Sequence, residues 1–457
     1  MQGLRKVLIA NRGEIAMRII RACRELGIAT VAVFSEADRD SPHVRFADEA
    51  REIGPAKPAE SYLNLERILA VAADTGADAI HPGYGFFAES AAAARRIEGR
   101  GLVFIGPSSE QIALMGDKLE ARRVAERLQV PTLGGTQALE SSDAAIEAAK
   151  RIGFPVIVKP VAGGGGIGNA VVSDPVALER ATTLAARLSQ QAFGRGTVYL
   201  ERFLPQARHV EVQIVADQFG TVVALGEREC SLQRRYQKLV EETPSTAIDD
   251  VVRAEMAAAA LRIAKAIGYR SVGTIEFLVD AEKRFYFLEM NTRIQVEHPV
   301  TEMVTGIDLV REQIQIAAGV PLSFTEKDVK PRGHAIECRI CSEDPLKNFL
   351  PSSGKITDLK LPGGPGVRVD SGIELGSSVT MHYDSLLCKV IVWDKDRDLA
   401  TARMRRALSE LHIGGVKTTR DLELAILGSQ EWRDGRIHTR LLEEELLTRF
   451  RSSLGQL

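Results

Sequence analysis

The chain has 457 residues, too many for one simple core, so two to four domains are the starting expectation. Hydrophobic residues make up 45% and charged residues 26%, the balance of a soluble globular protein, and 59 basic against 61 acidic residues leave a net charge of −2. This excludes a strongly basic nucleic-acid surface, and no apolar run approaches the roughly 20 residues of a membrane span. A strand starts almost at once, over residues 6–10, where a leader peptide would carry its apolar region. The expected class is a cytoplasmic enzyme that binds neither nucleic acid nor membrane.

In chain order, the first 110 or so residues alternate strand and helix, the pattern of a Rossmann-like, doubly wound parallel sheet. The strand over 6–10 runs into a helix whose apolar face is Ile15, Ile19, Ile20, Cys23 and Leu26; Gly27 ends it, and 29–34 is the next strand. The first turn reads Asn11-Arg12-Gly13-Glu14 and lacks a dinucleotide fingerprint. A second unit, with a helix near 63–75, ends in His81-Pro82-Gly83-Tyr84-Gly85.

From about residue 131 the chain enters a small inserted segment: a helix near 144–152, a strand over 155–159, a glycine run, a strand over 170–172, and a closing strand over 198–203. The run Gly163-Gly164-Gly165-Gly166-Ile167-Gly168 lies between two strands, so it caps a hairpin instead of opening a helix. A glycine hairpin exposes consecutive N–H groups that can fold over phosphate oxygens. Alone such a run is more often a plain surface turn; Lys159 beside it adds a cation and shifts that balance. Strands over 210–216 and 221–225 and an alanine-rich helix over 251–267 follow, then a strand-rich stretch from Gly333 to about Trp393 and closing helices.

The strongest chemical signal is a pair of carboxylates. The apolar segments 273–279 and 285–291 flank Asp280-Ala281-Glu282-Lys283-Arg284. A hairpin centred on Glu282-Lys283 sets Glu276 opposite Glu289, and period-two alternation puts Asn291 on the same face. Like charges across a sheet are destabilising. Two carboxylates and an amide oxygen therefore call for a cation, and hard oxygen ligands suit Mg²⁺ or Mn²⁺. Beyond them Arg293, Gln295 and Glu297 alternate, so an extended backbone would aim all three to one side and could hold and deprotonate a small oxyanion; surface ion pairing is the alternative. The run Cys230-Ser231-Leu232-Gln233-Arg234-Arg235-Tyr236-Gln237-Lys238 is dense in donors, though such a run is more often a solvated loop. The five cysteines are scattered; Cys338 and Cys341 form a C-x-x-C pair in a strand-like run with no second ligand pair nearby, which favours buried packing over metal or redox use.

These motifs together, from Asn11-Arg12-Gly13-Glu14-Ile15-Ala16 through His81-Pro82-Gly83-Tyr84-Gly85, Met115-Gly116-Asp117-Lys118, the glycine flap and Gln233-Arg234-Arg235 to 289–299 (EMNTRIQVEHP), resemble biotin carboxylase, an ATP-grasp family. The likeness runs from about Lys6 to Thr418. It implies an α/β and α+β multidomain fold: a Rossmann-like N-terminal domain (1–114), an ATP-grasp domain (115–333) with a glycine-rich mobile lid (about 131–203), and a strand-rich C-terminal domain (334–445). Lys118, Lys159, Gly165, Gly166, the hinge at Glu201 and Leu204, His209, Gln233, Tyr236, Glu276 and Glu289 would serve ATP. Glu276, Glu289 and Asn291 would bind two Mg²⁺ or Mn²⁺ ions. Lys238, Arg293, Gln295 and Val296 would hold bicarbonate, Glu297 would be its base, Arg339 would stabilise a biotin enolate, and Tyr84 would lie near biotin.

Three positions depart from the family pattern: Tyr236 stands where His is common, Ile167 where Arg or Lys is common, and Asn169 where Met is common, which touches nucleotide affinity more than reaction class. The chain has no Ala-Met-Lys-Met biotin-attachment motif. A separate biotin carboxyl carrier protein and a carboxyltransferase subunit are therefore expected, and the resemblance implies a homodimer. The other readings are another carboxyphosphate-forming ATP-grasp ligase and a non-catalytic nucleotide-binding subunit.

Overall fold

The computed structural model describes residues 3–139, 142–161, 168–193, 196–453 and 455. The N-terminal strands β1 (Lys6–Ile9), β2 (Ala29–Phe34), β3 (Glu49–Glu52), β4 (Ala79–His81) and β5 (Val103–Phe104) form a parallel sheet in the order β3-β2-β1-β4-β5. Val7, Leu8, Ile9, Val31 and Val33 are fully buried, as parallel strands covered on both faces require. Helix α1 (Gly13–Glu25) packs Ile15, Ile19, Ile20 and Cys23 against Val7 and Ile9. Helix α2 (Leu65–Thr75) packs Ile68, Leu69 and Ala72 on the opposite face, against Leu8 and Val31.

Strand order reverses between β1 and β4, and the loops leaving such a switch point bound a crevice. There Asn11 donates through Nδ2 to the carbonyls of Pro82 and Tyr84, both at 2.7 Å. Two motifs 70 residues apart become one ledge. Gly83 has φ +64, and a Cβ there would lie 2.7 Å from Asn11 Nδ2, so this close approach needs glycine.

After helix α3 (Lys118–Arg127) the inserted segment folds as α4 (Ser142–Ile152), β6 (Val156–Pro160), β7 (Ala170–Val172), α5 (Pro175–Phe193) and β8 (Val198–Arg202). Its antiparallel sheet, β7-β6-β8, carries a small core of its own with Ala145, Ala149, Val158, Leu178 and Leu200. The flap residues Gly165, Gly166 and Ile167 lie outside the described residues.

Eight of the remaining strands, the short ones pairing off in two-stranded ribbons, build one antiparallel sheet: β9 (Arg208–Ala216), β10 (Val222–Arg234), β11 (Gln237–Thr243), β12 (Ser271–Val279), β13 (Phe285–Asn291), β14 (His334–Cys341), β15 (Val367–Ser371) and β16 (Leu386–Asp394). The order is β13-β12-β9-β10-β11-β14-β16-β15. The strands after residue 333 thus extend the central sheet through the β11–β14 pairing. Helix α6 (Asp250–Ala266) covers it with Met256, Ala260 and Ile263 over Val210 and Val212. Helix α7 (His298–Thr305) follows the site residues, and α8 (Arg397–Glu410) buries Ala400, Met404 and Ala407 beside Cys338 and Val390. Cys338 is thus a core residue. Among the described residues no helix is long and apolar enough to cross a membrane.

The hairpin of β12 and β13 pairs Glu276 with Glu289, by a route different from the one expected. Near the turn the partners are Val279–Phe285 and Phe277–Phe287, one residue off the expected register. A bulge between Glu276 and Phe277 then takes up Leu288 and restores it.

The sheet is cross-braced at Glu242, 1% exposed, which accepts from Arg397 at 2.7 and 3.1 Å and lies 2.7 Å from His334 Nε2. Burial raises its pKa, but His334 and Arg397 outweigh that and pull it down to about 2. A depressed pKa stabilises the fold above the unfolded value of about 4.3, and the contribution disappears as pH falls toward 2. Glu242→Gln should therefore lower unfolding stability by about 3–5 kcal/mol at pH 7. Urea denaturation should show that deficit shrinking below pH 4.

Candidate active site

Four adjacent strands each contribute one charged residue to a single row. Arg228 on β10 faces Glu211 on β9, Glu211 faces Glu276 on β12, and Glu276 faces Glu289 on β13. Three carboxylates in register repel one another, so cations must hold them. Arg228, fully buried, donates Nε to Glu211 at 2.6 Å and is fixed by Gln213 at 2.7 Å, Thr301 at 3.0 Å and Thr274 at 3.1 Å. Lys238 Nζ lies 2.6 Å from Glu211, 3.0 Å from Glu276, and bonds Glu297 as well. His209 Nε2 stands 3.0 Å from Glu276 and Lys118 Nζ 3.7 Å from Glu289.

These neighbours set the charge states. Burial works against the Lys238 ammonium, but Cys230 and the three glutamates raise its pKa well above the ordinary lysine value. Burial likewise opposes ionised Glu276 and Glu297; Lys238 outweighs it at both, with His209 at the first and Arg339 at the second, and both carboxyls drop below the usual range. The His209 imidazole is raised by Glu276 against the effect of burial.

Glu211 and Arg228 lie fully buried, while Glu276 and Glu289 line the floor of a cleft of about 880 Å³ between the inserted segment, the central sheet and the N-terminal ledge. Its wall includes Tyr84, Lys118, Lys159, Glu201, Leu204, His209, Gln233, Tyr236, Lys238, Glu276, Glu289, Asn291, Arg293, Gln295, Val296 and Arg339. Lys159 and Glu201, on β6 and β8 of the lid, form a buried ion pair facing this space. The donor-rich run 230–238 is largely strand: Gln233 and Lys238 are cross-strand partners, with a turn at Arg235 and Tyr236 between them. A solvated loop is thus the wrong description of it. Two of the departures from the family pattern meet at the cleft mouth, where the Asn169 side chain approaches the Tyr236 hydroxyl.

Asn291, Arg293 and Gln295 converge. Arg293 donates to Asn291 Oδ1 at 2.7 Å and to Gln295 Oε1 at 2.8 Å, while Asn291 Nδ2 and Gln295 Nε2 donate to Glu276 at 2.9 and 3.0 Å. Glu297 does not continue their alternation, contrary to an extended backbone through 297. The chain leaves the strand at Asn291, turns at Val296 and Glu297, and Glu297 becomes the N-cap of α7, whose first turn carries Pro299. Its side chain is fully buried behind Lys238 and Arg339, the latter donating at 2.9 Å.

A divalent cation fits this donor set. Glu289 is part-exposed and lines the cleft together with Glu276, whose Oε2 lies 3.0 Å from His209 Nε2, so the pair offers hard oxygen ligands there. Glu211, Arg228 and Glu241, which accepts from Arg339 at 2.6 Å, were not anticipated. The available signal was polar residues at alternate positions of adjacent apolar strands, Glu211-x-Gln213 beside Glu227-x-Glu229.

Three family models cover most of the chain: biotin carboxylase, N-terminal domain, at residues 3–112; carbamoyl-phosphate synthase L chain, ATP binding domain, at 117–325; and biotin carboxylase C-terminal domain at 337–444. Biotin carboxylase 1 of Bacillus subtilis is 51% identical over 96% of this chain and 98% of its own. The biotin carboxylase of Haemophilus influenzae is 51% identical over 97% and 99%. Among solved structures, the Campylobacter jejuni biotin carboxylase–β,γ-ATP complex superposes with a TM-score of 0.95 at 45% identity, covering 97% of this chain and 99% of that one. The biotin carboxylase domain dimer of Hydrogenobacter thermophilus 2-oxoglutarate carboxylase, bound to MgADP, ADP and bicarbonate, gives 0.95 at 47% identity over 98% and 99%. With its cleft floored by paired glutamates and this likeness along nearly its whole length, the chain belongs to the biotin carboxylase family.

Proposed function

We propose that this chain carboxylates biotin held on a carrier protein, using ATP and bicarbonate, as the first half-reaction of a biotin-dependent carboxylase. The observation that carries the reading is Lys238 bridging Glu276 on the nucleotide side of the floor and Glu297 on the far side. It joins a phosphate site to a proton-abstraction site. Lys118 and Lys159 bind phosphate oxygens, and Glu201, Leu204, His209, Gln233 and Tyr236 surround the rest of the nucleotide. Glu276, Glu289 and Asn291 would hold two Mg²⁺ or Mn²⁺ ions, which would supply positive charge beside the transferring phosphate.

Lys238, Arg293, Gln295 and Val296 seat bicarbonate. Glu297, kept ionised by Lys238 and Arg339, takes its proton. The bicarbonate oxygen then attacks the γ-phosphate and ADP leaves. The resulting carboxyphosphate breaks down to CO₂ and phosphate, and phosphate takes the ureido proton of biotin. Arg339 stabilises the enolate that attacks CO₂, and Tyr84 borders the biotin. Water exclusion by the lid protects the intermediate.

The division into 1–114, 115–333 and 334–445 follows the family models closely and is adopted here. A cytoplasmic homodimer acting with a biotin carboxyl carrier protein and a carboxyltransferase subunit is the proposed assembly; the Hydrogenobacter domain supports it as a dimer.

The reading predicts bicarbonate-dependent ADP release that free biotin stimulates; a chain that cleaves ATP without responding to biotin would falsify it. Glu297→Gln should lower that rate by about 10²–10⁴-fold, with MgADP binding, measured by calorimetry, unchanged. Tyr236 is part-exposed at the cleft mouth and cannot become cationic. Tyr236→His should lower the KM for ATP below pH 6.5 by about fivefold at most, since an exposed charge pair is worth up to about 1 kcal/mol. Above pH 7.5 the variant and the wild type should converge.

A further inference from the structure

The Asn11-Arg12-Gly13-Glu14 motif does more than line the ledge. Glu14, in the first turn of α1, is buried, accepts from the Tyr84 hydroxyl, and lies 3.2 Å from Lys389 Nζ. Lys389, fully buried on β16, donates to the carbonyl of Val296 at 2.7 Å. Val296 directly precedes Glu297. The main chain at Gly372, which follows β15, presses so close to the start of α1 that a Cβ there would lie 2.7 Å from the Glu14 nitrogen. A line of contacts therefore runs Tyr84, Glu14, Lys389, Val296, crossing from the N-terminal sheet through the C-terminal strands into the turn that carries the base.

Nothing in the chemistry of biotin carboxylation requires a buried lysine at this place. Removing an ammonium from water is costly, and a hydrophobic pair would pack at least as well. Besides Glu14, the charged groups facing Lys389 are Glu337, Asp370 and Arg368. Asp370 and Arg339 are its direct cross-strand partners. Burial opposes the Lys389 charge, and the acids around it outweigh that; burial also raises the Glu14 and Glu337 carboxyls, with Lys389 pulling against it at both.

We propose that Lys389 and Glu14 are positioning residues of the carboxylation: a buried ion pair that sets the turn at Val296 and Glu297 and ties it to the hydroxyl of Tyr84. Occupancy on the biotin side of the cleft is then felt at the base. The inference rests on the functional reading above, and it assigns the pair no contact with substrate.

The test uses the full chain and bicarbonate-dependent ADP release, with and without free biotin. Lys389→Met should lower kcat in the presence of biotin by about 100-fold, the scale of an ångström-sized misplacement, while MgADP binds as in the wild type. Glu14→Gln keeps the shape and the acceptor but loses the charge. It should reduce the ratio of biotin-stimulated to unstimulated rate at least about fivefold, the lower end of a coupling between sites. A merely structural strut would change the melting temperature and leave that ratio alone. A folded Glu14→Gln enzyme with the wild-type ratio overturns the proposal, as does Lys389→Met with the wild-type kcat. Should Lys389→Met fail to fold, Glu14→Gln decides alone. Absence of biotin stimulation in the wild type itself would sink the functional reading instead.

Discussion

An ammonium group enclosed by three carboxylates governs this molecule. At an effective dielectric constant near 20, each contact of Lys238 at about 3 Å is worth about 5–6 kcal/mol of Coulomb attraction. Desolvating the ions takes back several kcal/mol apiece. The net gain in stability is small, and the arrangement earns its place through poise. With Lys238 present, Glu276 and Glu297 stay ionised in a buried setting that would otherwise neutralise them. One residue thereby keeps two buried carboxylates charged at once.

How much of this could be read from the sequence depended on how local the determinants were. Glu276 and Glu289 were legible because 13 residues and one turn connect them, and alternation in two apolar strands leaves few choices. Even so the register came out right with a compensating irregularity, since the turn pairs one residue off and Leu288 makes up the difference. Alternation misled at Glu297, because a helix start just beyond it bends the chain and moves the carboxylate behind Arg339. Glu211 and Arg228 were missed for a different reason. Their meaning comes from β9 lying between β10 and β12, which sets Glu211 against Glu276, 65 positions away, and alternation within one strand does not encode that. The nucleotide roles expected of His209, Gln233 and Leu204 entered through family resemblance alone.

The N-terminal sheet contributes through its switch point, and the C-terminal strands contribute by prolonging the central sheet. Arg339 on β14 reaches both Glu241 and Glu297 because β14 pairs directly with β11. A boundary between residues 333 and 334 therefore separates sequence families better than it separates cores. Truncation there would strip the edge from β11 and leave Glu297 without one of its two cations.

The inserted segment is built the opposite way. Its three-stranded sheet and its core share no strand with the main sheet. Its links to the body include the Thr132–Phe287 bridge and the neighbouring bond from the Phe287 N–H to the Pro131 carbonyl, both at the segment's start. Such a unit can swing or loosen while the large sheet stays intact, and its amide protons should exchange as a cooperative block of their own. Lys159 and Glu201 ride on that block whereas Lys118 and Glu289 do not, so any molecule gripped by both sets turns its own binding free energy into closure.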